Sequence, residues 1–245
     1  MISASTSAWP DIEAAIDNGL IAILPVGAME QHGAHLPLDT DTVLATGIAR
    51  RLAEAEGLFL LPALAYGDAW TAEGWAGTLS FSPDTLRSGM LDIGRGLQRM
   101  GVLGLVTLNG HFGNREPIAL AARTLAEEGF SVLHLDYPGL EAVAAEVAES
   151  KPAGPGFYHA DEIETSMMLA LAPDAVRMDL AAPEYPEFPP LFGSEPLPLA
   201  AFNTSGVFGD PRPATAEKGE RIISAIVGNA RRLIALWRDK WEFGA

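Results

Sequence analysis

The chain has 245 residues, 16 basic against 32 acidic side chains, a formal net charge of -16 and no cysteine. This balance excludes a phosphate-backbone partner or an anionic membrane surface, which need clustered Lys and Arg. Without cysteine there is no disulfide, iron–sulfur cluster, thiolate zinc site or thiol nucleophile, so any metal must use imidazole and carboxylate ligands. Apolar residues make up 48% of the chain, an ordinary globular composition, and the length suits one domain spanning residues 1–245. No targeting segment and no membrane-spanning apolar run is visible, so a cytoplasmic protein is expected.

In chain order, Asp11 to Asn18 follows Pro10 as a short helix and stops at Gly19. Leu20 to Val26 is an apolar run of strand length, as expected of a strand buried on both faces. Asp39 to Glu56 reads as a helix stopped by Gly57. Leu58 to Ala65 is a second apolar run, and Ser82-Pro83 opens a helix that ends near Gly101. Val102 to Leu108 is a third strand, followed by a helix over Asn114 to Glu128. Phe130 to Leu135 is a fourth strand, with a helix from about Pro138 to Glu149. Strands alternating with helices imply right-handed crossovers and a mainly parallel α/β sheet, with functional loops beyond the carboxyl ends of its strands. The Pro-rich stretch 182–213 reads as a lid, binding loop or subunit contact. A C-terminal helix over about 214–239 presents Ile222, Ile223, Ile226, Val227, Ala230, Leu233, Ile234 and Trp237 on one face.

Three stretches concentrate the chemistry. Glu30, Gln31 and His32 follow the first long strand, with His35, Asp39 and Asp41 close behind. In an extended segment Glu30 and His32 point to one side. Asp41 lies in the first helical turn, where an ionised carboxylate is favoured and is able to bridge two metals. Asp39 reads either as the helix cap or as part of the site. Asn109 to Asn114 places His111 between glycines at the end of the third strand, where backbone approaches a ligand closely. In the third stretch, His159 to Ser166, a helical reading puts Glu164 on the apolar face of Met167 and Met168, as a buried carboxylate in need of a partner. Asp161 and Glu162 read as a solvated helix start, with Glu162 facing water. His134 reads as structural. Trp70 and Trp75 lie in a loop at the same sheet edge and are expected to line a pocket.

Together VGAMEQHGAHLPLDTDT, WAGTLSF, LNGHFGN, HADEIETSMMLALAPD and SGVFGDPRPATAEKG resemble the creatininase (creatinine amidohydrolase) family, over about residues 20 to 220. The resemblance implies a three-layer α/β fold, a two-metal amidohydrolase site and a homohexamer. It places Glu30 and His32 on different metals, Asp41 as the bridging carboxylate and His111 as a further ligand. Creatininase proper carries a Glu two residues after the His of its NGH motif. Gly113 stands there in this chain, and Glu164 is taken as the compensating ligand and a catalytic carboxylate. The glycine form resembles the formylamide hydrolase of archaeal flavin biosynthesis and the peptidase that trims the mycofactocin precursor. A His before the PGT-like turn is absent, with Glu73-Gly74-Trp75 in that region.

Amide hydrolysis needs an activated water and a stabilised oxyanion, which two divalent metals about 3.5–4 Å apart supply. The ligand types suit zinc, manganese or iron(II). His159 is the expected general acid, and His35 the residue that orients a metal-binding carboxylate. Gly110, Phe112 and Trp75 are expected to shape the pocket for a small-molecule amide. The leading expectation is hydrolysis of a small or cyclic amide C–N bond. The competing readings are a peptidase or deformylase-type enzyme and a non-catalytic metal-binding paralogue.

Overall fold

The structure, a computed structural model, describes residues 2–241. Its centre is a five-stranded parallel sheet in the order β1-β3-β2-β4-β5. The strands are β1 (Ile2–Ser3), β2 (Ile21–Val26), β3 (Phe59–Leu60), β4 (Gly104–Asn109) and β5 (Ser131–Asp136). The helices are α1 (Trp9–Ile16), α2 (Thr40–Glu56), α3 (Pro83–Met100) and α4 (Arg115–Glu127), then α5 (Leu140–Val147), α6 (Glu162–Leu171) and α7 (Ala216–Trp241).

Alternation along β2 builds three layers. Ile21 and Ile23 join α2, α5, α6 and α7 in one apolar cluster, while Ala22, Leu24 and Val26 join α3 and α4 in another. Every residue of β2 and β4 is buried, which is why both read as unbroken apolar runs.

Local chemistry sets the boundaries. Ser82 Oγ accepts from the amide of Thr85, Pro83 begins α3, and Gly101 ends it at φ 90°. The run from Leu58 is a regular strand only over Phe59–Leu60. Pro62 has no N–H to give, and the chain rejoins β2 at a single bridge between Val26 and Leu64. Asp39 precedes α2 without a side-chain cap bond, so the capping reading does not hold.

The Pro-rich stretch folds back on the body. Bridges join His159 to Phe208 and Glu184 to Gly209. Phe157 packs edge to face with Phe188 and Phe208, Phe192 does so with Phe188 and Phe202, and Phe202 with Phe208. Among the described residues no helix is long and apolar enough to cross a membrane.

Candidate functional site

Glu30, Asp41 and Glu164 meet His32, His111 and His159 beyond the carboxyl ends of β2 and β4, and all six are buried. Glu30 and His32 stand on the segment leaving β2, Asp41 in the first turn of α2, and His111 just after β4. His159 precedes α6 and Glu164 lies in its first turn. His111 Nδ1 is 2.9 Å from Glu30 Oε1 and 3.2 Å from Asp41 Oδ2. His32 Nε2 is 3.2 Å from Asp41 Oδ1, 3.7 Å from Glu164 Oε2 and 4.0 Å from Glu30 Oε1. Asp41 thus offers one oxygen to each of two imidazoles.

Backbone groups fix which nitrogen faces the cluster. His32 Nδ1 lies 3.1 Å from the carbonyl of Glu30, which turns Nε2 inward. His111 Nε2 lies 2.8 Å from the Asp68 carbonyl, which turns Nδ1 inward. The Asn109 amide donates to the carbonyl of His111 and to Asp136, and its oxygen accepts from the His111 amide. Gly110 is needed for packing: a Cβ there would meet the Asp41 carbonyl at 2.6 Å.

His159 is held by Gln31. Gln31 Oε1 accepts from the Gly33 amide, so its Nε2 donates to the Gly206 carbonyl and to His159 Nε2. A neutral His159 therefore carries its proton on Nδ1, which lies 3.8 Å from Glu30 Oε1.

Among the described residues the ion pairs of Glu30, Asp41 and Glu164 are with histidines, not with Lys or Arg. Burial acts first on every group. It pushes Glu164 above the ordinary carboxylate range, helped by Asp41 and Asp161. For Asp41 the neighbouring His32 and His111 outweigh burial and hold the carboxyl well down. For His32 and His111 the carboxylates outweigh burial and raise both imidazoles. His159 falls to about 4 through burial and the positive charge of His32.

Three overlapping groups have ligand atoms within 4.8 Å of one another: Glu30, His32 and His159; Glu30, Asp41 and His111; His32, Asp41 and Glu164. Glu30 Oε2 is buried without a hydrogen-bond partner, and Asp41 Oδ2 meets the His111 ring at 3.2 Å. Buried anions of this kind need a cation, and a mixed carboxylate and imidazole set suits a borderline divalent metal. The residues therefore fit the metal that the sequence suggests.

Several expected roles change. Asp39 is exposed and takes no part in the cluster. His35 Nε2 pairs with the hydroxyl of Thr165 rather than with a metal-binding carboxylate. Trp75 sends its indole N–H to the Thr204 carbonyl and does not line the cavity, whereas Trp70, Gly110 and Phe112 do. Glu162 is fully buried rather than solvated, accepts from the amides of Glu149 and Ser150, and pairs with Lys218 at 2.6 Å. Asp161 is buried too, and caps α6 by accepting from Ile163 and Glu164.

Other site residues had no recognised signal in the sequence. Tyr137 lines the cavity at φ 31°, and its hydroxyl is buried without a partner. Asp68 lines it as well, and burial raises its carboxyl against the Trp70 amide and the charge of His111. The cavity has a volume of about 1310 Å³ and takes part of its wall from Phe192, Leu197 and Leu199, so the Pro-rich stretch helps to form the pocket.

The creatininase (creatinine amidohydrolase) model matches residues 5–234. The chain belongs to the creatininase family. It is 36% identical to the mycofactocin precursor peptide peptidase of Mycobacterium ulcerans (strain Agy99), over 94% of this chain and 87% of that one. It is 34% identical to the creatinine amidohydrolase of Pseudomonas putida, over 89% and 90%. A creatininase crystal structure superposes with a TM-score of 0.85 at 33% identity, covering 100% of this chain and 98% of that one. Related solved creatininases include a Zn-Zn form and a manganese form, each 32% identical to this chain. Family and geometry together make this a creatininase-family hydrolase with metal-binding groups.

Proposed function

We propose that the protein is a metal-dependent amidohydrolase that cleaves an amide C–N bond with an activated water. The carrying observation is the convergence of Glu30, His32, Asp41, His111 and Glu164, with Glu30 Oε2 buried and unpartnered and no Lys or Arg among the described residues paired to these carboxylates. Glu30 and His111 would hold one metal and His32 and Glu164 the other, with Asp41 able to serve both. Divalent metal bound there supplies an activated water and polarises the substrate carbonyl. Tyr137 donates from its free hydroxyl to the carbonyl oxygen as charge develops on it. His159 serves the leaving nitrogen from Nδ1, the nitrogen that Gln31 leaves free. The proton lost by the attacking water would pass through the Glu164 carboxylate to the leaving nitrogen, while His159 Nδ1–H hydrogen-bonds to that nitrogen and keeps its own proton.

A cavity of about 1310 Å³ is large for a small cyclic amide, since ordinary small-molecule pockets run to roughly 300–1,000 Å³. This favours a peptide-like amide over a creatinine-sized one, in keeping with the peptidase relative.

The test is reconstitution with zinc or manganese, followed by hydrolysis of creatinine, formylated amines and short peptides. Asp41→Asn is expected to lower metal content by at least half and activity by more than about 10²-fold. Full metal content in that variant would overturn the assignment, as would a fully loaded wild type that hydrolyses no amide of the three classes.

A further inference from the structure

Asp68 lines the same cavity but belongs to none of the metal-competent groups. Its backbone carbonyl receives His111 Nε2, and its carboxylate takes the Trp70 amide and keeps one oxygen over. The residue is only 8% exposed, and Oδ1 has no hydrogen-bond partner. Such a group needs a partner when the site is in use.

The surroundings specify the partner's charge. Glu116, in the first turn of α4, lines the same cavity and adds to the negative potential at Asp68. Arg115 is the one Lys or Arg among the lining residues, and it is already committed, with Nε 2.7 Å from Asp136 Oδ2. Arg115 also sits 4.4 Å from the centroid of the Phe112 ring, so this wall already holds one cation against an aromatic face. Trp70 is 40% exposed at the cavity wall, two residues from Asp68. A buried carboxylate with one oxygen unpartnered, a nearby second carboxylate and a part-exposed indole suit an organic cation. A third metal ion would want more oxygen ligands than these.

We infer that Asp68, with Glu116 and the Trp70 ring, forms a subsite for a protonated amine carried by the substrate. The inference rests on the amidohydrolase reading only for the word substrate. The subsite selects amides bearing an ammonium group over neutral or carboxylate-bearing counterparts.

The test uses the whole metal-loaded protein and starts with binding, which needs no turnover. Benzylammonium, benzyl alcohol and benzoate are titrated and followed by ligand-observed NMR. Benzylammonium is expected to bind at least tenfold more tightly than the other two. Asp68→Asn, which keeps the side-chain shape and the backbone carbonyl, is expected to erase that preference, and Glu116→Gln to reduce it a few-fold. Circular dichroism checks that each variant is folded. A wild type that binds all three probes equally would overturn the inference, as would an Asp68→Asn protein that keeps the preference. A second readout compares kcat/KM for one peptide amide with its amine free or acetylated. The ratio is expected to collapse in Asp68→Asn, through KM. Binding without hydrolysis would sink the proposed function and leave the subsite standing, and hydrolysis indifferent to the amine would do the reverse.

Discussion

Gly113 offers the sharpest test of how the site is packed. A Cβ placed there would lie 2.0 Å from the Asp68 carbonyl oxygen and 2.9 Å from His111 Nε2. A carbon–oxygen contact needs about 3 Å, so Gly113→Ala must move the Asp68 carbonyl by roughly 1 Å. That carbonyl receives His111 Nε2 at 2.8 Å, and the shift breaks the bond. Overpacking costs about 1–3 kcal/mol, and a buried imidazole nitrogen left unpaired costs about 1–3 kcal/mol more. Taking about 4 kcal/mol in total, and roughly 2–4 °C per kcal/mol for a chain of this size, the melting temperature falls by about 8–16 °C. Gly113→Glu inserts the same Cβ and is expected to be destabilised at least as much. The assay is thermal unfolding by circular dichroism, with metal content measured in parallel, since His111 is also a proposed ligand. Melting within about 2 °C of the wild type, with unchanged metal content, would refute the reasoning. It would mean that the loop carrying Asp68 gives way freely and that glycine is not required at this position.

Lys218→Met leaves Glu162 buried without its cation, so the protein should lose about 3 kcal/mol at neutral pH, read by urea unfolding. Asp136 is pushed up by burial but held lower by His134, Asn109 and Arg115, so its folded carboxyl titrates below the free value. Its contribution is present above about pH 4 and is lost as pH falls through the folded value, so Asp136→Asn should flatten the acid limb of the stability profile. Identical acid limbs would reject that account. Tyr137→Phe is expected to lower kcat about 10–100-fold with little change in KM or melting temperature, because the hydroxyl has no partner in the fold to lose.

The sheet was legible wherever burial was two-sided. β2 and β4 are apolar runs because both of their faces are covered, and the glycines that end α2 and α3 adopt the left-handed conformation expected of helix stops. β1 is two residues long, too short to show a period. The six residues of the buried cluster were legible because each sits just beyond the end of a strand or near the start of a helix. Its supports were not, because they depend on contacts distant in sequence. Glu162 looked solvated because its Lys partner lies 56 residues further on. The space beside Gly113 is taken by a carbonyl from another loop, and nothing around residue 113 announces this. Both Trp70 and Trp75 were expected at the pocket, but only packing against the segment around Thr204 decides which indole reaches the cavity.

Glu164 stands on α6, and α6 is seated against α7, the last helix in the chain. A Cβ at Gly219 would meet the Ser166 carbonyl at 1.9 Å, and the Thr215 amide donates to the Ser166 hydroxyl at 3.2 Å. Met167 and Met168 share their apolar cluster with Ile222, Ile223 and Ile226. The consequence is one of timing. As the chain leaves the ribosome, Glu30, Asp41 and His111 emerge early, but the helix that presents Glu164 has no bed until more than fifty residues later. The assembled cluster is thus a property of the finished polypeptide, and a nascent or clipped chain that ends before Ala216 carries most of the proposed ligands without the wall that brings in the last one.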